Sequence, residues 1–331
     1  MNTTISTYAY WVETVGRGAL RRVAVPAAPG PGRSLLAAEF GAVSPGTERL
    51  VGQGMVPPSA RQAMACRSMQ GSFGLPVLYG YCLVGTGIAG AIAGRRVFVM
   101  HPHQAIAEVA DAHCVQLGSH VPAARATLIP NLETALNAVW DAELDGSERV
   151  VVFGAGVVGQ LLCYVLSRVG TPATLVDIDH RRLESARSWP VSALRQVPPG
   201  HFDVAFHATG TGAGLQASLD AVGFEGRVLD LSWYGTRPVT LDLGSTFHWQ
   251  RKSIVATQVA HVAASKRDCT TCSDRMTEVL RLLDCCELDG LLPEPIAFAD
   301  LPEFMASLYR GEGTVPVPLI RYDPLPALSD A

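Results

Sequence analysis

The sequence predicts an α/β protein in which an N-terminal all-β unit precedes a doubly wound parallel sheet. Up to about residue 125, short runs of β-branched and apolar residues are separated by clusters of Pro and Gly, as in barrel-like all-β units. Beyond that point, apolar strands alternate with stretches of helical spacing, which is typical of a parallel sheet covered by helices. A chain of 331 residues is also long for a single core and suits two domains.

The individual elements are predicted from these runs. In the all-β part, we expect strands at residues 7–12, 20–25, 34–43, 97–100 and 107–109. Helical spacing begins near Ala123 and continues to Trp140. In the second part, we expect strands at 150–153, 173–177, 202–207, 226–231 and 253–259, helices at 214–222 and 275–283, a strand-to-helix turn at 297–308 and a closing strand at 315–321.

A glycine-rich turn is the most informative motif of the chain. The run 150–153 is followed by Gly154, Gly156 and Gly159, and then by apolar residues at helical spacing, namely Leu161, Leu162, Val165 and Leu166. The first glycine permits a tight turn, the second lets a pyrophosphate approach the backbone, and the third lets the helix pack on the strand. Because a helix N-terminus attracts phosphate, the motif predicts a dinucleotide site.

Asp177 bears on which dinucleotide binds. It closes the next apolar run, about 20 residues after the second glycine, where a carboxylate would accept hydrogen bonds from a ribose diol. A 2′-phosphate would meet like charge there, so NAD(H) is favoured over NADP(H). Arg181 and Arg182 follow closely and could pair with a phosphate, although two arginines opening an exposed helix usually face solvent.

Charge and targeting signals narrow the range of partners. With 26 basic and 30 acidic residues, the net charge is −4 and no basic block is present, so neither nucleic acid nor an anionic membrane is expected to bind. No apolar run approaches the roughly 20 residues that span a bilayer, and residues 1–6 lack the features of a signal peptide. We therefore expect a cytosolic protein that acts on a small molecule.

The eight cysteines fit that compartment as reduced thiols. Cys269 and Cys272 have the spacing of zinc ligands, and Cys285 with Cys286 could in principle complete a site. Adjacent cysteines rarely chelate one ion well, however, and no second CxxC exists. We expect free thiols rather than a structural metal.

Taken in order, these motifs resemble those of the medium-chain dehydrogenase/reductases, the zinc-type alcohol dehydrogenase superfamily. Residues 46–48 resemble the family's Gly-Thr-Asp, 80–85 its Gly-His-Glu-x-x-Gly, 94–97 its Gly-Asp-Arg-Val, 107–109 its Ala-Glu-Tyr, and 150–159 its cofactor turn. The resemblance runs over essentially the whole chain. It implies a GroES-like β-barrel catalytic domain at 1–125, a Rossmann domain at 126–262, and a return to the catalytic domain at 263–331.

Shorter motifs resemble one subgroup, the bacteriochlorophyllide hydroxyethyl dehydrogenases. They are residues 44–49, 79–81, 101–104 and 131–134. This resemblance implies a bulky cyclic or pigment-like alcohol as substrate. The wider superfamily resemblance implies a homodimer, because the strand at 253–259 lies where members of the superfamily pair their sheets.

The catalytic zinc ligands of the superfamily are missing from this chain. Their positions are occupied by Pro45, by Tyr81, and by Ile129 or Pro130. Proline and isoleucine offer no side-chain ligand and a neutral tyrosine is a poor one, so we expect no catalytic metal. The four-cysteine lobe of a structural zinc is absent too, since Cys114 is the single cysteine between residues 85 and 145.

Without zinc, protein side chains must manage the proton, and four are candidates. Tyr81 could act as general acid/base or as an oxyanion donor, or it could simply fill the volume of the lost metal. Glu133 could act as acid/base, or its charge could stabilise the first turn of a helix. His101 and His103 could grip a substrate or relay a proton. We expect Glu48 to be structural and to pair with an arginine.

The resemblance assigns the following residues to the dinucleotide: Gly154, Gly156, Val157, Val158, Gly159, Asp177, Ile178, Arg182, Thr209, Ser232, Trp233 and Tyr234. The predicted function is zinc-independent, NAD(H)-dependent interconversion of a secondary alcohol and a ketone. Two alternatives stay open. One is reduction of a conjugated C=C bond, as in the quinone and enoyl reductases that also lack zinc. The other is a catalytically silent dinucleotide-binding protein.

Overall fold

The structure, a computed structural model, describes residues 3–186, 191–312 and 317–323. The chain divides into two compact units. One comprises Met1–Leu128 together with Leu292–Ala331, and the other comprises Ile129–Leu291. Among the described residues, we find no helix with the length and apolar character needed to span a bilayer.

Strands and helices are numbered along the chain. The strands are β1 (Thr4–Thr14), β2 (Arg17–Pro26), β3 (Arg33–Ala42), β4 (Gln70–Gly71), β5 (Val77–Leu78), β6 (Leu83–Ala89), β7 (Arg96–Val99), β8 (Ile106–Ala110), β9 (Val115–Gln116), β10 (Val150–Phe153), β11 (Ala173–Val176), β12 (Ser192–Leu194), β13 (Phe202–His207), β14 (Val222–Asp230), β15 (Ser253–Ala256), β16 (Ile296–Ala297) and β17 (Leu319–Arg321). The α-helices are α1 (Pro45–Gly52), α2 (Ala123–Ala126), α3 (Ile129–Asp141), α4 (Val157–Arg168), α5 (His180–Ser185), α6 (Gly212–Ala221), α7 (Cys272–Leu283) and α8 (Leu301–Arg310).

The first unit is built from two largely antiparallel sheets. The smaller has the strand order β2-β1-β5-β4, and the larger has the order β16-β17-β3-β6-β7-β9, with β8 also paired to β3. Strands β3 and β6 lie at the centre of the larger sheet, where Leu35, Leu36, Leu83 and Val84 are almost fully buried. The predicted all-β unit is therefore confirmed, and each of its five predicted strands corresponds to one of the observed strands.

The second unit is a Rossmann domain. Its six strands are all parallel, in the order β12-β11-β10-β13-β14-β15. Strand order reverses between β10 and β13, and in open α/β sheets ligands bind beyond the carboxyl ends of the strands at such a reversal. Strand β10 is buried along its whole length, which explains its continuous apolar sequence. The predicted doubly wound parallel sheet is confirmed.

The extent of the second unit differs from the expected domain limits. Residues 263–291, which we placed in the return to the first domain, belong to the unit of the parallel sheet. The reason is the amphipathic helix α7, which packs against α3 and presents the buried side chains of Arg275, Val279, Leu282 and Leu283. The closing strand begins at Leu319, and residues 315 and 316 of its predicted span lie outside the described part of the chain.

Candidate functional site

The three glycines after β10 have distinct surroundings. Gly154 has φ +107°, and a Cβ built on it would lie 2.9 Å from the carbonyl oxygen of Ala208. A Cβ on Gly159 would lie 1.7 Å from the carbonyl oxygen of Gly154, because helix α4 crosses the turn at that point. A Cβ on Gly156 would meet no atom within 4 Å. Gly154 and Gly159 are thus required by packing, whereas Gly156 leaves its face open to a ligand.

Helix α4 begins directly at this open face. Gly156 is its N-cap residue, and Val157 and Val158 form its first turn. The amides of a first helical turn have no intrahelical acceptor, and the positive end of the helix dipole lies there. Five of the residues that we assigned to the dinucleotide, from Gly154 to Gly159, therefore form one backbone cradle that could hold a pyrophosphate.

Asp177 is fixed beside the glycine turn. Its side chain is 8% exposed at the carboxyl end of β11. One carboxylate oxygen accepts a hydrogen bond from the Ala155 amide at 2.8 Å, and the other accepts one from the Asp179 amide at 2.9 Å. Each oxygen has a second acceptor position. A ribose hydroxyl could occupy it without displacing either backbone contact.

The residues after Asp177 complete this edge of the unit. Ile178 is 83% exposed and offers apolar surface for an aromatic base. Arg182 reaches to 3.8 Å from Asp177, whereas Arg181 is paired with Asp179 at 3.3 Å. Arg195, which the sequence did not single out, donates to the carbonyl oxygen of Ile178 at 3.5 Å. Arg182 is therefore close to Asp177, whereas the side chain of Arg181 is already paired with Asp179.

A polar cluster lies at the carboxyl ends of β13 and β14. The Thr209 hydroxyl is hydrogen-bonded to the ring of His207. That ring is fully buried and also contacts Asp230. The Tyr234 hydroxyl donates to Asp230 at 2.9 Å, and the Ser232 hydroxyl oxygen accepts from the Gly210 amide at 3.0 Å. Trp233 is half-buried in the same loop. Sequence reasoning missed His207 and Asp230, although a polar final residue on two neighbouring strands was a visible signal.

In the first unit, Tyr81 lies beside the loop that precedes α1. Its side chain is partly exposed, and its ring meets Tyr79 edge-on at 6.3 Å between centroids. Burial of the phenol raises the pKa of Tyr81 above its ordinary value, although hydrogen bonds with Ser44 and Thr47 act in the opposite direction. The phenol is therefore protonated near neutral pH and can donate a hydrogen bond.

Glu48 and His103 form a buried pair in the same unit. The Glu48 carboxylate is 2.8 Å from Nε2 of His103, and it also accepts from the Ser44 amide at 2.8 Å. Our expectation that Glu48 pairs with an arginine was wrong, because the fold brings the fully buried His103 to it across 55 residues of sequence. Nδ1 of His103 has no hydrogen-bond partner among the described residues.

His101 occupies a different environment from His103. Its side chain is buried, and Nδ1 lies 2.9 Å from the carbonyl oxygen of Pro102. Burial lowers the pKa of His101 to about 4. The imidazole is consequently neutral at pH 7, and it is a weak base in this position.

Glu133 is held by an arginine. It lies on α3 in the second unit, where its carboxylate is 3.0 Å from Nη2 of Arg275. Arg275 is 3% exposed and also donates to Asn137 at 2.6 Å and to the carbonyl oxygen of Val259 at 2.7 Å. Burial raises the pKa of Glu133, and Arg275 partly offsets that effect. The expected first-turn position was wrong, since α3 begins at Ile129 and places Glu133 beyond its first turn.

Glu133→Gln should lower the free energy of unfolding by about 3 kcal/mol, because it leaves the buried Arg275 guanidinium without its counter-charge. Urea unfolding followed by circular dichroism measures the loss. Glu278→Gln is the matched control, since Glu278 pairs with Arg281 on the exposed side of α7 and should change stability by less than about 0.5 kcal/mol. Equal losses in the two variants would contradict a structural role for the Glu133–Arg275 pair.

The described residues do not bring side-chain ligands together in a way that would hold a metal ion. Within residues 3–186, 191–312 and 317–323, no group of three or more His, Cys, Asp or Glu side chains is arranged to hold one. Pro45 opens α1, while Ile129 and Pro130 are buried at the start of α3. Cys269, Cys272 and Cys286 are exposed free thiols, and the Cys285 thiol contacts Arg168 at 3.0 Å.

Comparison with curated proteins finds partial relatives. An uncharacterised zinc-type alcohol dehydrogenase-like protein of Haemophilus influenzae is 24% identical over 153 residues, which is 42% of each chain. The (R,R)-butanediol dehydrogenase of Saccharomyces cerevisiae is 24% identical over 147 residues, or 40% of this chain and 38% of the yeast protein. The chain thus matches about two fifths of the length of these relatives. No family model matches the sequence.

Solved structures match over almost the whole chain. A short chain alcohol dehydrogenase of Escherichia coli CFT073, complexed with NADH, has a TM-score of 0.74 at 14% identity, with 96% of this chain and 99% of the other covered. A putative zinc-binding dehydrogenase of Sinorhizobium meliloti 1021, bound to NADP, has a TM-score of 0.73 at 16% identity, with the same coverage. At these identities the matches show the fold, and they confirm the predicted combination of a GroES-like domain and a Rossmann domain.

Proposed function

We propose that this chain, which its relatives and structural neighbours support as a member of the zinc-type alcohol dehydrogenase superfamily, is an oxidoreductase that uses NAD(H) to interconvert a secondary alcohol and a ketone. One observation carries the proposal: the open face of Gly156 lies at the N-terminus of α4, beside the buried carboxylate of Asp177. One relative is a butanediol dehydrogenase, and another is an uncharacterised zinc-type alcohol dehydrogenase-like protein. That supports an alcohol as substrate.

The residues of the second unit fit a dinucleotide. The backbone from Gly154 to Gly159 would hold the pyrophosphate, Asp177 would accept hydrogen bonds from a ribose, and Ile178 would cover one face of the base. When bound, the nicotinamide supplies hydride transfer. The protein's own task is to bind and orient that ring and to manage the proton on the alcohol oxygen.

The choice between NAD(H) and NADP(H) rests on Asp177. A 2′-phosphate at this position would approach a carboxylate that is 8% exposed, where like charges repel more strongly than in water. The structural neighbours include one complex with NADH and one with NADP, so they do not separate the two cofactors. Arg182 lies 3.8 Å from Asp177, so its positive charge is partly offset by that carboxylate.

Asp177→Asn should reduce discrimination between the cofactors by at least about tenfold, through weaker NADH binding and tighter NADPH binding. Asparagine keeps an acceptor for the Ala155 amide but removes the charge. Fluorescence titration with NADH and NADPH gives both dissociation constants. Asp203→Asn is the control, because Asp203 pairs with Arg149 at the opposite end of the sheet. Tighter binding of NADPH than of NADH by the unmodified protein would overturn the assignment to NAD(H).

We propose that the reaction is zinc-independent and that Tyr81 exchanges the proton with the alcohol oxygen. The phenol keeps its proton at neutral pH, so it can donate to the alkoxide that develops when a ketone is reduced. Ser44 and Thr47 hold the phenol, and Glu48 anchors the same loop through the Ser44 amide. The residues at the superfamily's zinc-ligand positions, Pro45, Tyr81, and Ile129 or Pro130, support this assignment. With Glu133 bound to Arg275, we rank Tyr81 above it as the proton donor.

Two further parts of the proposal concern the substrate and the assembly. The subgroup resemblance at residues 44–49, 79–81, 101–104 and 131–134 supports a bulky cyclic or pigment-like alcohol. We also propose a homodimer formed through β15, which lies at the edge of the parallel sheet. Near that edge, Phe224 and Trp249 are 64% and 63% exposed, and apolar surface of this kind marks an interaction site.

A further inference from the structure

Two neighbouring parallel strands in the second unit end in a hydrogen-bonded histidine–aspartate pair. His207 is the last residue of β13 and Asp230 is the last residue of β14, and the two are opposite each other in the strand register. The His207 ring is fully buried, and its Nδ1 lies 2.9 Å from Asp230 Oδ1. A buried imidazole at the carboxyl edge of a parallel sheet is costly unless both nitrogens are satisfied.

The hydrogen bonds around this pair have defined directions. Burial alone would raise the pKa of Asp230, but hydrogen bonds from His207, from the Ser232 amide and from the Tyr234 hydroxyl hold it below its ordinary value. The ionised carboxylate can only accept, so Nδ1 of His207 carries a proton. In the neutral ring Nε2 is then an acceptor, and the Thr209 hydroxyl donates to it at 2.7 Å.

These bonds fix two loops against each other. The first loop, residues 209–211, is joined to the second, residues 232–234, by the Gly210 amide, which donates to the Ser232 hydroxyl at 3.0 Å. The Tyr234 ring stacks on His207 with an interplanar angle of 12°. The pair thus determines where the Thr209 and Ser232 hydroxyls and the neighbouring backbone lie at the carboxyl edge of the sheet.

The position of these loops matters for one end of a bound dinucleotide. The pyrophosphate cradle follows β10, and the ribose carboxylate Asp177 follows β11, on one side of it. The adenosine half therefore extends over β11, and the other half must extend the opposite way, over β13 and β14. Given the proposed function, we propose that His207 and Asp230 are positioning residues that hold the loops contacting the nicotinamide nucleotide, and that they leave recognition of the adenosine half unaffected.

The proposal is tested by comparing NADH with ADP-ribose, which shares the adenosine diphosphate part but lacks nicotinamide. In Asp230→Asn and in His207→Gln, the dissociation constant of NADH should rise by at least about tenfold, while that of ADP-ribose changes by less than about twofold. Isothermal titration calorimetry measures both. Retained ADP-ribose binding shows that the variants are folded. Asp220→Asn, the same substitution at an exposed carboxylate on α6, should alter neither constant.

A third variant keeps the test decisive if the two buried substitutions unfold the protein. Tyr234→Phe removes one hydrogen bond to Asp230 and keeps the ring stacked on His207, so it should weaken NADH binding by about threefold and ADP-ribose binding not at all. Equal weakening of both ligands, or no effect on NADH, would overturn the positioning role. If the unmodified protein bound neither ligand, the proposed function itself would fail.

Discussion

An alanine at Gly156 is expected to weaken NADH binding by about a hundredfold while leaving the free energy of unfolding near that of the unmodified protein. The added Cβ would meet no protein atom within 4 Å, so the fold can accept it. It would project into the space through which a pyrophosphate reaches the first amides of α4, and the charge-assisted hydrogen bonds made there contribute about 1.5–3 kcal/mol each. Fluorescence titration with NADH and thermal unfolding together separate the two effects.

Two other glycines serve as controls for this substitution. Gly159→Ala should unfold the second unit, because its Cβ would lie 1.7 Å from the carbonyl oxygen of Gly154. Gly244→Ala, on the exposed surface of the same unit, meets its nearest neighbour at 3.5 Å and should change neither stability nor affinity. Normal NADH binding by the Gly156 variant would mean that the phosphates bind elsewhere.

Tyr81→Phe should lower kcat by about 10²-fold with the NADH dissociation constant unchanged, because it removes the proton that the phenol supplies to the oxygen of a ketone. The rate is followed by NADH absorbance with a panel of cyclic ketones. Tyr79→Phe is the control, since Tyr79 packs against Tyr81 but donates its hydroxyl to the carbonyl oxygen of Met64. Unchanged turnover in both Tyr81→Phe and Glu133→Gln would remove these two side chains as proton donors.

The local features of the fold were predictable from the sequence. Strands β10 and β13 match their predicted limits, because buried parallel strands are continuous apolar runs with no competing periodicity. Strand β6 was not predicted as a strand. Its sequence, residues 83–89, contains two glycines, and the structure explains Gly85: a Cβ there would lie 2.0 Å from the carbonyl oxygen of Ala37 on β3. Close packing between two strands cannot be recognised from the intrinsic strand propensity of either sequence.

The same distinction between local and long-range features applies to the candidate site. The glycine turn and Asp177 could be predicted because their spacing within one strand-turn-helix unit determines their geometry. The pairs Glu133–Arg275 and Glu48–His103 join residues 142 and 55 positions apart, and no local pattern links their members. The sequence alone therefore identified Glu133 and His103 as candidates. It could not show that the Glu133 carboxylate is bound to Arg275 or that the His103 ring is bound to Glu48.

The hydrogen bond from the Ala155 amide to Asp177 has a practical consequence for protein engineering. The side chain that would face the ribose also braces the loop that would cradle the phosphates. Exchanging it for a residue without an oxygen would loosen that loop along with the intended change in sugar selectivity. A variant redesigned for the phosphorylated cofactor would thus need a replacement acceptor for Ala155, or it would lose affinity for both nucleotides at once.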